Sequence, residues 1–584
     1  MDNMTMRFVF SSLVTLGLLS GLVFGGIMAV MVYLNVVDMW ISMGITTLIS
    51  VVGFFISPII MDWKLRVFNG VEWWDSALLQ ARQPELYNLM MKICQEHGMN
   101  MPDFGMIDDQ NPTAFCYGTF RNNSRVVMTQ GIFTYLTIPQ AKAVLAHEMG
   151  HICNRDFAVM TAASIMVQLL YQMYASLAKM AQKKESGGGK DKDKGGAAIV
   201  AVGLYVAYIV GIYLLLYLSR CREYMADTFA ARYTSAADLA GALVRIGYGI
   251  LDVGDTDKSQ HLLMSTRTLG IVDVQKAGQL AMLGANDSLS VSMVSESMVF
   301  DVYNPWASLC ELGSTHPLIG RRLEWLFALA QQLGQNFPDL DVHKAAARMN
   351  LDKARLWRNF VGDMLVCLAP LVLACVLYEV ALFLPVYMDY QPIMGAGVGF
   401  VIGSLLVSLY SLSLAYPEPT AVRDLITDPY ASPMRGRPVR MEGVVVGRLD
   451  PGNFVNEDMM FKDTSGLVPL DFQSWLGMLG NLFAGWKRVK LMIGQDAALT
   501  GWYFRGAAGM VLIDQIHAGG TTLKARPYVA LLGRTALMLA LVGGVGAMLM
   551  ENYASHEKEI QRATHERTQE KIIMETYREM HPGS

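Results

Sequence analysis

The sequence predicts a mainly α, polytopic membrane protein that carries an α+β domain at one membrane face and a small all-β domain towards its C-terminal end. Three observations lead there. Long uncharged runs recur in pairs, the segments between pairs hold most of the charge, and residues 418–526 switch to alternating polar and apolar residues. The composition agrees, with 53% hydrophobic and 17% charged residues, against about 45–50% and about 25% in soluble domains. A net charge of −4 leaves no electrostatic footprint for a polyanion, so no nucleic-acid partner is expected. The seven cysteines are odd in number and form no CxxC pair. That argues against a disulfide framework and fits a reducing compartment.

A run of about 20 apolar residues spans the hydrocarbon core as a helix. Residues 8–37 and 39–61 flank the single Asp38 and, with no small-residue cleavage site, read as a retained hairpin over 1–61. Runs 157–178 and 197–218 form a second pair, and 364–388 and 393–415 a third. The last run, 529–550, is interrupted by Arg534, which can snorkel to an interface. Glu379 inside the fifth run is costly in lipid; it is either functional or an interface-level packing residue. Gly395, Gly399 and Gly403 recur every four residues and mark a close helix-packing face.

The connections "LNVVDMW" and "VYMDYQP" hold no Lys or Arg, whereas 62–156, 219–358 and 418–526 are rich in both. The positive-inside rule therefore places those three segments in the cytoplasm. The connection 183–196, "KKESGGGKDKDKGG", runs against the rule with five lysines. Its three acids offset part of that charge, and its Gly/Lys/Asp content reads as a solvated linker.

The chemistry concentrates in "QAKAVLAHEMGHICNRD", residues 140–156. Helical residues four apart point the same way, so His147 and His151 can offer imidazoles to one ion. Glu148 sits beside the first of them, placed to hold a water as general base. This is the zinc-peptidase HExxH arrangement, although the bare pattern also arises as a polar helix face. A catalytic zinc needs a third protein ligand, and "SRCREYMADTFAARY" (219–233) supplies Glu223 with Asp227 four residues on. Glu223 could bind the metal while Asp227 orients a ligand histidine. Two spans lie between His151 and Glu223, so both emerge on one membrane face. The alternative for Glu223 is a partner for Arg220 or Arg222 at a helix start.

"VLAHEMGHICNRD", "REYMADTFA" and "STHPLIGRRLEWL" (314–326), in this order, resemble the signatures of HtpX-like membrane zinc metalloproteases. That gluzincin family also includes the CAAX prenyl proteases. The resemblance covers about residues 1–330. It implies a zincin-like α+β catalytic domain and one Zn2+ per chain, with His147, His151 and Glu223 as ligands and Glu148 as base. It also implies His316 as oxyanion stabiliser and Arg322 as a structural or substrate-binding cation. On the residues alone, His316 is either a hydrogen-bond donor to a developing oxyanion or a structural histidine. The family's edge strand usually reads Pro-Asn-Ala-Phe, and here "NPTAFCYG" (111–118) has Thr113 in the asparagine position. Any asparagine-specific contact is thereby in doubt. Ala114, Phe115 and Cys116 still offer backbone groups to an extended peptide by strand addition. "SRVVMTQGIF" (124–133) reads as the next strand.

The expected function is a membrane-embedded zinc endopeptidase acting on membrane, membrane-proximal or unfolded polypeptides. The resemblance implies protein quality control. The expected place is a bacterial inner membrane, with the site facing the cytoplasm. Two alternatives stay open: a dedicated CAAX-type processing protease, and a membrane scaffold or assembly factor with a vestigial metal site.

The domain order expected is an N-terminal hairpin (1–61), a protease domain (62–358) with the helix pair 157–218, a second hairpin (359–417), a β-domain (418–526), a last span (527–550) and a charged helix (551–584). Five or six strands in the β-domain, among them "PVRMEGVVVGRLD", "RVKLMIG" and "ALTGWYFR", suggest an OB-like barrel. Trp475, Trp486, Trp502 and Tyr503 could stack nucleic-acid bases, but a protein-contact or gating module with core aromatics fits better. Residues 551–580 carry seven acids and five bases, suiting an exposed or assembly helix, with His556 and His565 as surface residues. The β-domain and this helix are the expected surfaces for a homo-oligomer or a partner protein.

Overall fold

The computed structural model describes residues 37–183, 192–252, 291–338, 341–384, 391–448 and 457–580, with scattered positions between 15 and 26. Most of the first apolar run and of the lysine-rich connection 183–196 lies outside the described residues. Six described helices are long and apolar enough to cross a membrane: Thr47–Phe68, Asp156–Ala178, Ile199–Tyr233, Lys353–Phe383, Gln391–Ser411 and Pro527–Glu551. The chain is a multi-pass membrane protein.

Helix α1 (Val37–Phe68) leads into β1 (Glu72–Trp74) and, after α2 (Pro84–His97), into β2 (Asp103–Ile107), β3 (Ala114–Gly118) and β4 (Ser124–Thr129). The sheet order is β1-β2-β4-β3, which leaves β3 on an edge, paired antiparallel to β4. Asp62 near the end of α1 accepts from Tyr117 Oη at 2.6 Å and pairs with Arg125 at 2.9 Å, tying this sheet to a membrane helix.

Next come α3 (Ile138–Cys153), α4 (Asp156–Lys183), α5 (Lys192–Tyr233), α6 (Ala236–Asp252), α7 (Pro305–Leu312) and α8 (Ile319–Leu333). Every residue of α3 from Ala143 to Cys153 is buried, so this helix is the axis of the domain core. The α5 helix departs from the expectation. "SRCREYMADTFAARY" does not start a new helix after the fourth apolar run but ends the same one, which is 42 residues long in all. Nothing in the sequence between Ser219 and Arg222 breaks a helix, so the membrane span carries its geometry straight into the site.

The hairpin α9 (Lys353–Phe383) and α10 (Gln391–Ser411) follows. A Cβ on Gly395, Gly399 or Gly403 would lie 2.4, 2.2 or 2.4 Å from the α9 backbone, so these glycines set the contact, as small residues do between membrane helices. Glu379 is exposed one turn before α9 ends.

The β-domain comprises β5 (Glu418–Pro419), β6 (Arg437–Arg448), β7 (Met459–Lys462), β8 (Leu467–Asp471), α11 (Met478–Ala484), β9 (Asp496–Arg505), β10 (Gly509–Ala518) and β11 (Thr521–Lys524). Strand β9 pairs with both β10 and β6, closing a five-stranded ring β6-β7-β8-β10-β9 in which only β8 and β10 run parallel. This is an OB-like closed barrel. One expected strand is wrong: "RVKLMIG" belongs to a helical stretch continuing from α11 through a π-turn, Gly485–Val489, to Met492. Ala484, Val489 and Met492 plug the barrel core, a helical periodicity that looks like alternation in a seven-residue window. Trp502 and Tyr503 are buried, so they form no exposed stacking platform.

The barrel is bolted to the rest. Buried Asp363 of α9 accepts from Trp306 Nε1 (3.0 Å), Tyr410 Oη (2.5 Å) and Ser432 Oγ (2.7 Å), joining α7, the α9–α10 hairpin and the β-domain. Buried Arg505 donates to the Ser297 carbonyl at 2.8 Å and to that of Ile426, and lies over the Phe300 ring at 4.3 Å. Finally, α12 (Pro527–Met580) runs unbroken for 54 residues, merging the last span and the charged helix. Arg534 is exposed two turns into it, and His565 is exposed further along.

Candidate active site

The site is built on α3, and its sequence explains why the helix starts and stops where it does. Thr137 caps the N-terminus, with Gln140 Oε1 accepting from the Thr137 N–H at 3.1 Å in a capping box. At the other end Arg155 adopts a left-handed φ of 61°, uncommon for a side-chain-bearing residue. That turn starts α4 at once and folds Asp156 back onto the preceding helix. Gly150 lets α3 and α5 approach: a Cβ there would sit 3.1 Å from Phe229 Cβ and 3.2 Å from Ala226 Cα.

The close crossing brings His147, His151 and Glu223 together, all buried, with their ligand atoms within 4.8 Å of one another. The two Nε2 atoms are 3.2 Å apart, and each lies 3.6 Å from one Glu223 carboxylate oxygen. Donors bound to one ion at about 2.0–2.1 Å in a tetrahedron have mutual distances of this size. The donor set, two imidazoles and one carboxylate, is also one that zinc accepts. Both carboxylate oxygens of Glu148 are buried without a hydrogen-bond partner. In a packed interior such an acid is costly unless it serves chemistry.

Each imidazole is oriented from behind. Asp227 Oδ1 lies 3.0 Å from His147 Nδ1, and Asp156 Oδ2 lies 2.6 Å from His151 Nδ1. Asp227 is in turn gripped by Arg322 through two bonds of 2.9 and 2.6 Å. Arg322 also lies 3.8 Å from Glu223. His316 is buried, its Nδ1 3.1 Å from Glu223 Oε2. The loop carrying it is pinned by Arg220, which donates to the carbonyls of Glu311 (2.8 Å), Leu312 (3.2 Å) and Ser314 (2.8 Å).

The alternative partners for Glu223 are therefore engaged elsewhere: Arg220 with those carbonyls, and Arg222 with Asp156 at 3.1 Å. Burial would push the His147 imidazole down, but the Asp227 and Glu223 carboxylates overcome that and raise it to about 9 when no cation is present. Burial, reinforced by the Glu148 charge, pushes the Cys116 thiol well above the usual range, leaving it inert.

Ala114, Phe115 and Cys116 lie on edge strand β3 with their side chains buried, and the Cys116 thiol donates to the Glu148 carbonyl at 3.4 Å. Thr113, in the position of the missing asparagine, is buried, and its N–H donates to Thr129 Oγ1 at 2.9 Å. Asp156 is the site residue that the sequence did not single out, and Arg222, there an alternative partner for Glu223, pairs with it instead. The available signal was an acid five positions after His151, but only the left-handed turn at Arg155 makes that spacing meaningful.

Residues 80–330 match the model for Peptidase family M48. "Protease HtpX homolog 2" of Methanosarcina mazei is 29% identical over 260 residues, covering 44% of this chain and 75% of that protein. "Protease HtpX homolog 2" of Methanosarcina acetivorans is 27% identical over 293 residues, covering 47% and 86%. The solved structure "Crystal Structure of S. mikatae Ste24p" overlaps 56% of this chain and 67% of that chain at 14% identity, with a TM-score of 0.32.

Proposed function

The chain is a member of peptidase family M48, and from that premise we propose that it is a zinc-dependent endopeptidase cutting membrane or membrane-proximal polypeptides in protein quality control. The observation carrying this reading is the His147–His151–Glu223 cluster with the partnerless Glu148 carboxylate beside it. His147, His151 and Glu223 would hold one Zn2+. Bound there, zinc supplies Lewis acidity, acidifying a water and polarising the scissile carbonyl.

The chain's own residues do the rest. Glu148 takes the proton from the attacking water and passes it to the leaving amine, so no covalent intermediate is needed. His316, buried next to Glu223, donates a hydrogen bond to the carbonyl oxygen as its charge develops. Asp227 and Asp156 keep the His147 and His151 imidazoles facing the ion, and Arg322 holds Asp227 in place. The backbone edge of Ala114, Phe115 and Cys116 receives the substrate as an added strand.

Membrane substrates suit a groove of about 610 Å³ between α1 and α4. Thr161, Ser164, Gln168 and Gln172 line it along one face of α4, beginning about one turn past Asp156. Polar side chains inside a span are costly unless used. The Lys/Arg distribution favours a cytoplasmic site; the membrane proposed is a bacterial inner membrane.

The test compares purified wild type with Glu148→Gln for zinc content and casein cleavage. Hydrolysis should fall by about 10²–10⁴-fold with zinc retained. Wild-type cleavage no higher than that of the variant, across unfolded and membrane substrates, would reject the enzyme reading and favour a scaffold.

A further inference from the structure

The helical stretch between β8 and β9 is apolar on two faces. One face, Ala484, Val489 and Met492, fills the barrel. The other has no such use: Leu476, Met478, Leu479, Leu482, Phe483 and Trp486 are all exposed, Met478 and Leu479 at 78% and Trp486 at 65%. A continuous apolar patch of this kind on a folded domain marks a contact surface. Its chemistry is specific. From Ser474 to Gln495 there is no acidic residue, while Lys487, Arg488 and Lys490 follow directly on the apolar face. Lys487 lies over the Phe483 ring at 5.3 Å and the Trp486 ring at 5.6 Å.

Position selects the partner. Trp475 N–H donates to the Ala525 carbonyl at 3.0 Å, two residues before α12 begins its membrane span at Pro527. Arg488 reaches the Thr522 carbonyl at 3.4 Å on the same side. The barrel is rooted beside a second membrane helix as well: Trp502 Nε1 of β9 donates to the Ser413 carbonyl at 2.9 Å just past the end of α10, where Tyr528 Oη at the start of α12 donates to the Leu412 carbonyl at 3.2 Å. The exposed apolar face thus lies beside the point where the chain enters the bilayer. Amphipathic helices with basic flanks and tryptophan at this level lie in the membrane interface.

We propose that residues 474–492 form an interfacial anchor, with Leu479, Phe483 and Trp486 in the headgroup–acyl boundary and Lys487, Arg488 and Lys490 on anionic lipid headgroups. The anchor holds the barrel down against the bilayer, independently of whether the metal site hydrolyses peptides. A second copy of the chain or another protein on the same face is the competing occupant.

The test uses the full chain in vesicles of phosphatidylcholine with phosphatidylglycerol. The more accessible native cysteines are removed (C310S, C367S, C375S), and an environment-sensitive fluorophore is attached at Leu479→Cys. A second label at exposed Glu442→Cys reports the solvent-facing barrel. The Leu479 label should be blue-shifted, quenched by lipids spin-labelled high in the acyl chain and protected from iodide, and the Glu442 label the reverse. Adding K487Q, R488Q and K490Q together should abolish the dependence of that lipid quenching on the phosphatidylglycerol fraction. Iodide quenching at Leu479 without lipid quenching overturns the proposal. So does protection from both quenchers, which would reveal a protein partner. A dependence on phosphatidylglycerol that survives the triple substitution overturns the headgroup assignment.

Discussion

Asp156→Asn tests whether the left-handed turn at Arg155 matters to the metal site. In the native protein the Asp156 carboxylate, 3% exposed, meets His151 Nδ1 at 2.6 Å and Arg222 Nε at 3.1 Å. A hydrogen bond to a charged group contributes about 1.5–3 kcal/mol, and each 1.4 kcal/mol is about tenfold in binding. The substitution keeps the side chain's shape but loses the charge that fixes the His151 tautomer, so zinc affinity should fall by about 10–150-fold. It also leaves Arg222 facing the site without an anion. The assay is competition for zinc between the detergent-solubilised protein and a chromogenic chelator. Removing the carboxylate from a buried pair with Arg222 also lowers the thermal midpoint of the zinc-free protein, so the affinities are compared well below that midpoint, on protein whose fold is checked by circular dichroism. Arg222→Gln, which spares the Asp156–His151 contact, should cost less affinity. A folded Asp156→Asn protein binding zinc within twofold of wild type would refute the reasoning.

Three further outcomes are expected. Gly150→Val places a branched side chain against Phe229 and Ala226 and should destabilise by about 1–3 kcal/mol with loss of zinc stoichiometry, Gly150→Ala less so; full zinc loading and an unchanged melting temperature would show that the close crossing is dispensable. The His147 imidazole, raised from 6.5 to about 9 in the metal-free protein, contributes stability fully present below pH 6.5 and lost as pH rises through about 9. Zinc must displace that proton, so its apparent affinity should climb across the same window. Calorimetry in buffers of different ionisation enthalpy should record the release at pH 7.5, and no buffer dependence there would contradict it. Arg505→Met strips the cation 3.7 Å from buried Asp301, whose other oxygen accepts the Gly320 N–H at the start of α8. Breaking such a pair costs about 3–5 kcal/mol, so limited proteolysis should release the barrel at lower temperature; an unchanged cleavage profile would mean the barrel docks without it.

The sequence by itself determined what depends on local periodicity. The six described spans follow from long apolar runs, three of the five after α1 uncharged and two holding one charge each, Glu379 and Arg534, and the span in α1 continues a run that begins at residue 39. The spacing His147–Glu148–His151 follows from the helical repeat, and the role of Gly395, Gly399 and Gly403 from their interval of four. Even the meeting of α3 with Glu223 was legible, because an even number of crossings separates them. Where periodicity is shared or cut short, the reading failed. "RVKLMIG" is too brief to separate a helix plugging a barrel from a strand, and the end of the span at 218 hid a helix that runs on to Tyr233. Tertiary structure alone decided the contacts made by turns and by distant partners. Asp156 reaches His151 through one left-handed residue, Arg322 reaches Asp227 from 95 positions away, and Asp363 joins α7, the α9–α10 hairpin and the β-domain. Local sequence encodes backbone preference, but which charged groups share a buried space depends on how whole elements pack, and that is a property of the folded chain.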